Sequence, residues 1–226
     1  MIIISGASRG IGKYLLESFR EQNIDTIGLY NSTKPESSSE SYYKVDIRNF
    51  KEVEKTVTSI ISNSDNLVLI NCAGINYNAF AHKSDPKKWK EVIETNLIGT
   101  YNLIRSVLPK MREINQGRII NFASVLAIKG TPGVSAYAAT KSAFVGLSKS
   151  ISVENANKNI TINNINLGYT VLGVIREVPD KFKEKLMNEI PMGRLCSPNE
   201  ILSTVNYLIN TGYITGESIN INGGLI

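Results

Sequence analysis

Two cysteines, one histidine and one tryptophan are all that 226 residues contain of those types, and each scarcity removes a class of chemistry. Cys72 and Cys196 lie far apart, and neither belongs to a C-x-x-C or a histidine cluster, so the chain offers no metal-ligand set and no disulfide framework. A Ser-His-Asp relay would have to use His82, whose setting, A-H-K-S-D-P, reads as a loop. Long apolar runs are missing too. The run at 2–4 is too short for the core of a signal peptide, and nothing approaches the ~18 apolar residues of a membrane span. A cytoplasmic protein with no bound metal and no membrane contact is expected. A strong excess of one charge sign is also absent: the net charge is +5, with 20% charged residues spread along the chain. The densest basic stretch, Lys83 to Lys90, is broken by Ser84, Asp85 and Pro86 and holds only Trp89 as an aromatic. It reads as the solvated start of a helix and not as a nucleic-acid surface.

The chain is 42% apolar, enough for a core, and no shift in composition divides it. Short apolar runs at 2–5, 25–30, 44–46, 67–71, 118–123, 161–167 and 218–221 have the character of strands. Between them, 11–21, 50–62, 86–113, 136–155 and 198–210 carry apolar residues at helical spacings. Strands apolar enough to be covered on both faces, alternating with helices, predict one α/β domain over 1–226, a parallel sheet flanked by helices. Local punctuation agrees, since Ser197-Pro198-Asn199-Glu200 offers an N-cap, a helix-opening proline and a capping-box glutamate.

Directly after the first run comes S-G-A-S-R-G-I-G, which places Gly6, Gly10 and Gly12 at the entrance to a helix. Glycines let the backbone approach a pyrophosphate without a Cβ in the way, and the helix start supplies unpaired N–H groups at a positive dipole end. A tight strand-to-helix corner would use the same glycines, and their spacing departs from G-x-G-x-x-G. An NAD site needs Asp or Glu near the end of the second strand to hold the ribose 2′-hydroxyl. Here that strand runs out in Gly28-Leu29-Tyr30-Asn31-Ser32-Thr33-Lys34, with Asp25 before it and Glu36 well into the following loop. Arg9, inside the glycine turn, can pair with a 2′-phosphate, helped by Asn31, Ser32 or Lys34; its alternative is a solvent-exposed turn residue. NADPH or NADP+ is the expected coenzyme, ahead of NADH.

Y-A-A-T-K puts Tyr137 and Lys141 four residues apart on one face of a predicted helix. A second Y-x-x-x-K, Tyr30 to Lys34, begins at a strand end, so spacing alone decides nothing. Context separates the two. Ser124 follows the strand ending I-I-N-F-A, at the carboxyl edge where open α/β sheets bind ligands, and a loop of small residues leads from it to the Tyr137 helix. Hydride attack on a ketone builds negative charge on oxygen, which a hydroxyl must polarise and an acid must protonate. Free tyrosine titrates near ~10 and needs a nearby cation to work at neutral pH; Lys141 can be that cation. Asn96, in T-N-L-I-G, can hold a water joining Lys141 to solvent or serve as a polar packing residue. Ser124 can equally be a strand-end cap.

With these residues assembled, the chain resembles the short-chain dehydrogenase/reductase family over nearly its whole length. S-G-A-S-R-G-I-G resembles the family's glycine motif, V-D-I at 45–47 its adenine-contacting turn and N-C-A-G at 71–74 its N-N-A-G. Asn96, Ser124, Tyr137 and Lys141 resemble its catalytic tetrad. Within the family, G-R-L-C-S-P-N-E-I at 193–201 and Y-I-T-G-E-S-I-N-I-N-G-G at 213–224 are most similar to β-ketoacyl-acyl-carrier-protein reductases. The resemblance implies a seven-stranded, doubly wound Rossmann-type sheet. It also implies a dinucleotide contacted by Gly6, Ser8, Arg9, Ile11, Gly12, Asn31, Ser32, Asp46, Ile47, Cys72, Ala73, Gly74, Tyr137, Lys141 and Thr170. The implied reaction is reduction of a ketone, free or bound to an acyl carrier protein, to a secondary alcohol. A homotetramer or homodimer through the fourth and fifth helices is implied as well. Two alternatives stand beside it: a reductase of sugars or other small ketones, and an NADPH-binding regulator without turnover, which would have no chemical need for all four tetrad residues. Some positions depart from the family. Leu167 stands where it commonly has Pro, Leu172 where it commonly has Thr, and Cys72 replaces the second Asn of N-N-A-G. The leucines border the expected nicotinamide and the segment expected to cover the substrate, 173–192.

Overall fold

The first apolar run divides its side chains between two cores, as a strand covered on both faces must. In the computed structural model, which describes residues 1–35, 41–172 and 180–226, strand β1 (Ile2–Ser5) sends Ile3 to a core with Leu69, Leu103, Val107 and Ile119. Ile2 and Ile4 enter a second core with Leu16, Phe19, Ile120 and Val205. The same alternation runs through β4 (Val68–Asn71) and β5 (Gly117–Phe122). The first core is closed by α2 (Phe50–Ile61), α4 (Gly99–Glu113) and Ile151 of α5 (Ser135–Asn155). The second is closed by α1 (Gly10–Glu21) and α7 (Pro198–Asn210). Each fully buried Ile or Leu in these layers contributes about 1.5–3 kcal/mol relative to exposure.

Seven parallel strands lie in the order β3-β2-β1-β4-β5-β6-β7, with β2 at Thr26–Tyr30, β3 at Tyr42–Lys44, β6 at Ile160–Leu167 and β7 at Ser218–Ile221. The direction of winding reverses between β1 and β4. A ligand crevice therefore opens at their carboxyl ends, beyond Ser5 and Asn71.

Three elements differ from expectation. The third strand, expected at 44–46, pairs with β2 two residues earlier, with Tyr42 opposite Gly28; Val45 turns into the first core and Asp46 folds back onto Arg48. The helix expected over 86–113 is interrupted. It consists of α3 (Pro86–Ile93), one π turn (Glu94–Ile98) and α4, with the Gly99 amide donating to the Glu94 carbonyl five residues back. Single π turns recur at functional sites, and this one contains Asn96, fully buried. A helix, α6 (Asp180–Glu189), lies where none was expected, because charges along D-K-F-K-E-K-L-M-N-E mask its apolar positions. The rest of the expected covering segment, 173–179, falls outside the described residues.

Among the described residues, side-chain caps start three of the α-helices: Asn49 at α2, Asp85 at α3, and a reciprocal Ser197–Glu200 box at α7. The N-cap of α1, Arg9, makes no such bond.

Candidate active site

Between β1 and α1 the chain turns too tightly for a side chain at Gly6 or Gly12. Gly6 has φ +68°, and a Cβ on it would stand 2.8 Å from the Ala73 backbone; a Cβ on Gly12 would stand 2.4 Å from the Gly6 carbonyl oxygen. The turn thus packs against the loop after β4 and leaves the first amides of α1 without a side-chain cap. Ser8 and Ile11 are half-buried along it, while Arg9 is exposed and its guanidinium pairs with no described residue. Across the crevice, Asn31, Ser32 and Lys34 are exposed at the end of β2, and residues 26–35 contain no carboxylate. A glycine cradle, open helix amides and a cationic rim fit a dinucleotide coenzyme.

The N-C-A-G loop is held from two sides. The Ala73 amide donates to Ser5 Oγ at 3.2 Å. Asn96 clamps the next residue, its Oδ1 accepting from the Ile75 amide at 2.8 Å and its Nδ2 donating to the Ile75 carbonyl at 2.9 Å. Gly74 packs against the same amide, so closely that a Cβ would come within 3.3 Å of Oδ1. The Asn96 side chain is therefore at least a packing and positioning group, of the two roles expected for it. Two expected coenzyme contacts also have partners within the chain. The Asp46 carboxylate grips Arg48 at 2.6 Å, a hydrogen bond that holds it below its ordinary range. The Thr170 hydroxyl donates to the Cys196 carbonyl at 3.0 Å and accepts from the Leu172 amide at 3.3 Å. Ile47 is buried under Gly99.

Just past the carboxyl end of β5, Ser124 Oγ accepts the Leu126 amide at 3.1 Å and stands near enough to Tyr137 to act on its phenol, so it is a cap and a neighbour of the expected acid at once. α5 lays Tyr137 and Lys141 along β5. Lys141, 5% exposed, donates from Nζ to the Phe122 carbonyl and lies 5.5 Å from the Tyr137 ring centroid and 4.9 Å from that of Phe144. Burial pulls its ammonium down to about 8, with neighbouring Cys72 opposing the fall. The same burial pushes the Cys72 thiol up. Tyr137 departs from expectation: burial pushes its phenol above the ordinary value and the Ser124 hydrogen bond only partly offsets that, while Lys141 directs its proton at Phe122. The competing Y-x-x-x-K is dispersed, with Tyr30 edge-on to Tyr42 at 6.4 Å and Lys34 exposed.

Residues 1–181 match the family described as short chain dehydrogenase. The chain belongs to that family. It is 31% identical over 237 residues to a 3-oxoacyl-[acyl-carrier-protein] reductase of Staphylococcus aureus, covering 99% of this chain and 96% of that protein. To the acetoacetyl-CoA reductase of Shinella zoogloeoides it is 33% identical over 232 residues, covering 98% and 96%. The solved structure of an aldohexose dehydrogenase of Thermoplasma acidophilum is similar with a TM-score of 0.90 at 28% identity, covering 99% and 93%. This short-chain dehydrogenase is accordingly an oxidoreductase acting on C=O or CH–OH groups, with a nicotinamide coenzyme.

Its own departures extend the second core toward the crevice, since Leu167 is buried in that core and Leu172 packs at its margin. Three features of the site carried no signal in the sequence of this dehydrogenase. Thr140 meets Asn96 Nδ2 at 3.4 Å, the Phe122 carbonyl receives Lys141, and a Lys129–Glu189 ion pair of 3.1 Å joins the loop after Ser124 to the end of α6 beside Tyr169. Each depends on which segments meet in space and not on a local pattern.

Proposed function

We propose that this short-chain dehydrogenase is an NADPH-dependent ketoreductase that converts a β-ketoacyl thioester, free or on an acyl carrier protein, into the β-hydroxy compound. The observation that carries the reading is the meeting of Ser124, Tyr137 and Lys141 at the carboxyl edge of β5. The names of the Staphylococcus and Shinella relatives, both reductases of 3-keto thioesters, support this substrate class. Likeness to an aldohexose dehydrogenase supports a sugar as the second reading.

When bound, the reduced nicotinamide supplies hydride to the carbonyl carbon. Arg9 pairs with the 2′-phosphate, and the turn at Gly6, Gly10 and Gly12 carries the pyrophosphate on the open amides of α1. Ser124 donates a hydrogen bond to the substrate oxygen, and Tyr137 gives that oxygen its proton as charge develops. The lowering influence of Ser124 on the Tyr137 phenol supports a shared point for the two hydroxyls. Lys141 places a buried positive charge beside the phenolate left behind. The same reading makes the protein cytoplasmic, supported by two free cysteines; no helix among the described residues is long and apolar enough to cross a membrane.

NADPH oxidation followed with acetoacetyl thioesters, keto sugars and small diketones tests the assignment. Turnover of the thioesters is expected, and turnover of sugars alone would replace the first reading with the second. On the accepted ketone, Tyr137→Phe should lower kcat by at least ~100-fold, the scale of general acid catalysis, with NADPH affinity nearly unchanged. Retention of most activity would remove Tyr137 as the acid.

A further inference from the structure

Polar side chains are out of place inside a sheet covered on both faces, yet five strands of this one carry them at a single level. Ser5 of β1 lies opposite Asn71 of β4, Asn71 opposite Asn121 of β5, Asn121 opposite Asn164 of β6, and Asn164 opposite Ser218 of β7. The three asparagines are at most 2% exposed. They are bonded in line: Asn71 Nδ2 to Asn121 Oδ1 at 2.9 Å, Asn121 Nδ2 to Asn164 Oδ1 at 3.1 Å, and Asn164 Nδ2 to Ser218 Oγ at 3.1 Å. Asparagine is disfavoured in strands, and apolar residues would fill this layer at lower cost.

The ladder does something an apolar layer cannot, because it reaches out of the sheet to α5. Ser148, fully buried, accepts from Asn121 Nδ2 at 3.3 Å and donates to Asn164 Oδ1 at 2.8 Å. Asn164 Nδ2 also donates to the Phe144 carbonyl at 3.2 Å. Tyr137, Lys141, Phe144 and Ser148 follow one another at spacings of four, three and four residues, one face of one helix.

We propose that Asn164, together with Asn121 and Ser148, is a positioning residue that locks α5 along its axis on the sheet and so sets Tyr137 and Lys141 against Ser124 and Phe122. Hydrophobic contact is non-directional and lets a helix slip over a sheet; hydrogen bonds to Ser148 and Phe144 do not, since they weaken steeply with distance and angle. Ser148 stands two helical turns from Lys141, roughly 10 Å along a rigid rod, so a slip at one is a slip at the other. A misplacement of about 1 Å at reacting groups can cost ~100-fold in rate. The kinetic consequence rests on the ketoreductase reading, while the structural one does not.

Ser148→Ala, Asn164→Val and the double variant test this, with thermal melts, NADPH titration, steady-state kinetics on a ketone the parent protein reduces, and crystal structures of parent and variants. All should fold. In each single variant kcat should fall ~10-fold or more with the KM for ketone little changed, and the double variant should be scarcely worse, because either change opens the same lock. In the crystals, Tyr137 or Lys141 should shift by about 0.5 Å or more relative to Ser124 and Phe122, the tolerance of a working site. A folded double variant with the parent's kcat, or with both side chains undisplaced, would overturn the proposal. If Asn164→Val does not fold, Ser148→Ala, which removes one hydroxyl only, decides alone. A parent that reduces no ketone refutes the ketoreductase reading, and the positions of Tyr137 and Lys141 in the variant crystals still decide the lock.

Discussion

Lys141 holds a positive charge where one carbonyl and two aromatic faces answer it. Burial lowers it from 10.5 to about 8, so the folded chain binds this proton more weakly than the unfolded chain does. Below pH 8 both states carry the proton and the fold bears the whole penalty. Between about 8 and 10.5 only the unfolded state keeps it, so this group makes stability rise with pH across that window and level off above it. Lys141→Met should therefore stabilise the protein at pH 7 by ~1–3 kcal/mol, abolish turnover and flatten that rise. Urea midpoints at pH 7 and 9.5 check the claim, and a lowered midpoint for the variant at pH 7 would contradict it. Arg9 presents the opposite case, a cation free at the surface. Because residues 26–35 contain no carboxylate, NADPH should bind more tightly than NADH, and Arg9→Ala should narrow the gap in isothermal titration. Equal affinities in the unmodified protein would refute the coenzyme assignment.

Among the elements, α7 shows how local signals decide a helix start. Ser197 accepts the Glu200 amide, and Glu200 accepts in return from the Ser197 amide at 2.8 Å. Hydrogen bonds from Arg194 and then Ser197 pull the Glu200 carboxyl down to about 2. That depressed value adds stability above pH 4.5 that is lost as pH falls toward 2, a small contribution because both partners are substantially exposed and screened. Ser197→Ala should cost ~1 kcal/mol, the usual value of an N-cap, read as a lower thermal midpoint with activity retained. No loss of stability would mean that the box is ornamental. The cap of α7 was legible because it depends on neighbours within four residues, and the glycine turn because its three glycines fall within seven. The π turn was not. It carries Asn96, whose bond with the Ile75 backbone joins residues 21 apart.

For the whole molecule, α4, α5 and the adjoining π turn leave large apolar side chains exposed. Tyr101 of α4, Val153 of α5 and Ile98 in the adjoining π turn are 46%, 83% and 45% exposed. Self-association through this face, as a dimer or tetramer, is the expected outcome. Sedimentation should show it at micromolar concentration, and Tyr101→Glu should shift the distribution toward smaller species. Monomer alone in the unmodified protein would count against any such assembly.

The sequence by itself determined the alternation of strands and helices, the glycine turn, the missing acid after β2 and the Ser124, Tyr137 and Lys141 set. Those features are written in periodicity, punctuation and spacing, all of which act over a few residues. Only the tertiary structure decided that Asp46 answers Arg48, that Thr170 closes on Cys196, that Lys141 turns to Phe122 and that asparagines 71, 121 and 164 form one line. Each depends on which strand or loop lies beside which. In a parallel sheet that is settled by crossovers tens of residues long, and a single register step would have sent each of those asparagines to the opposite face.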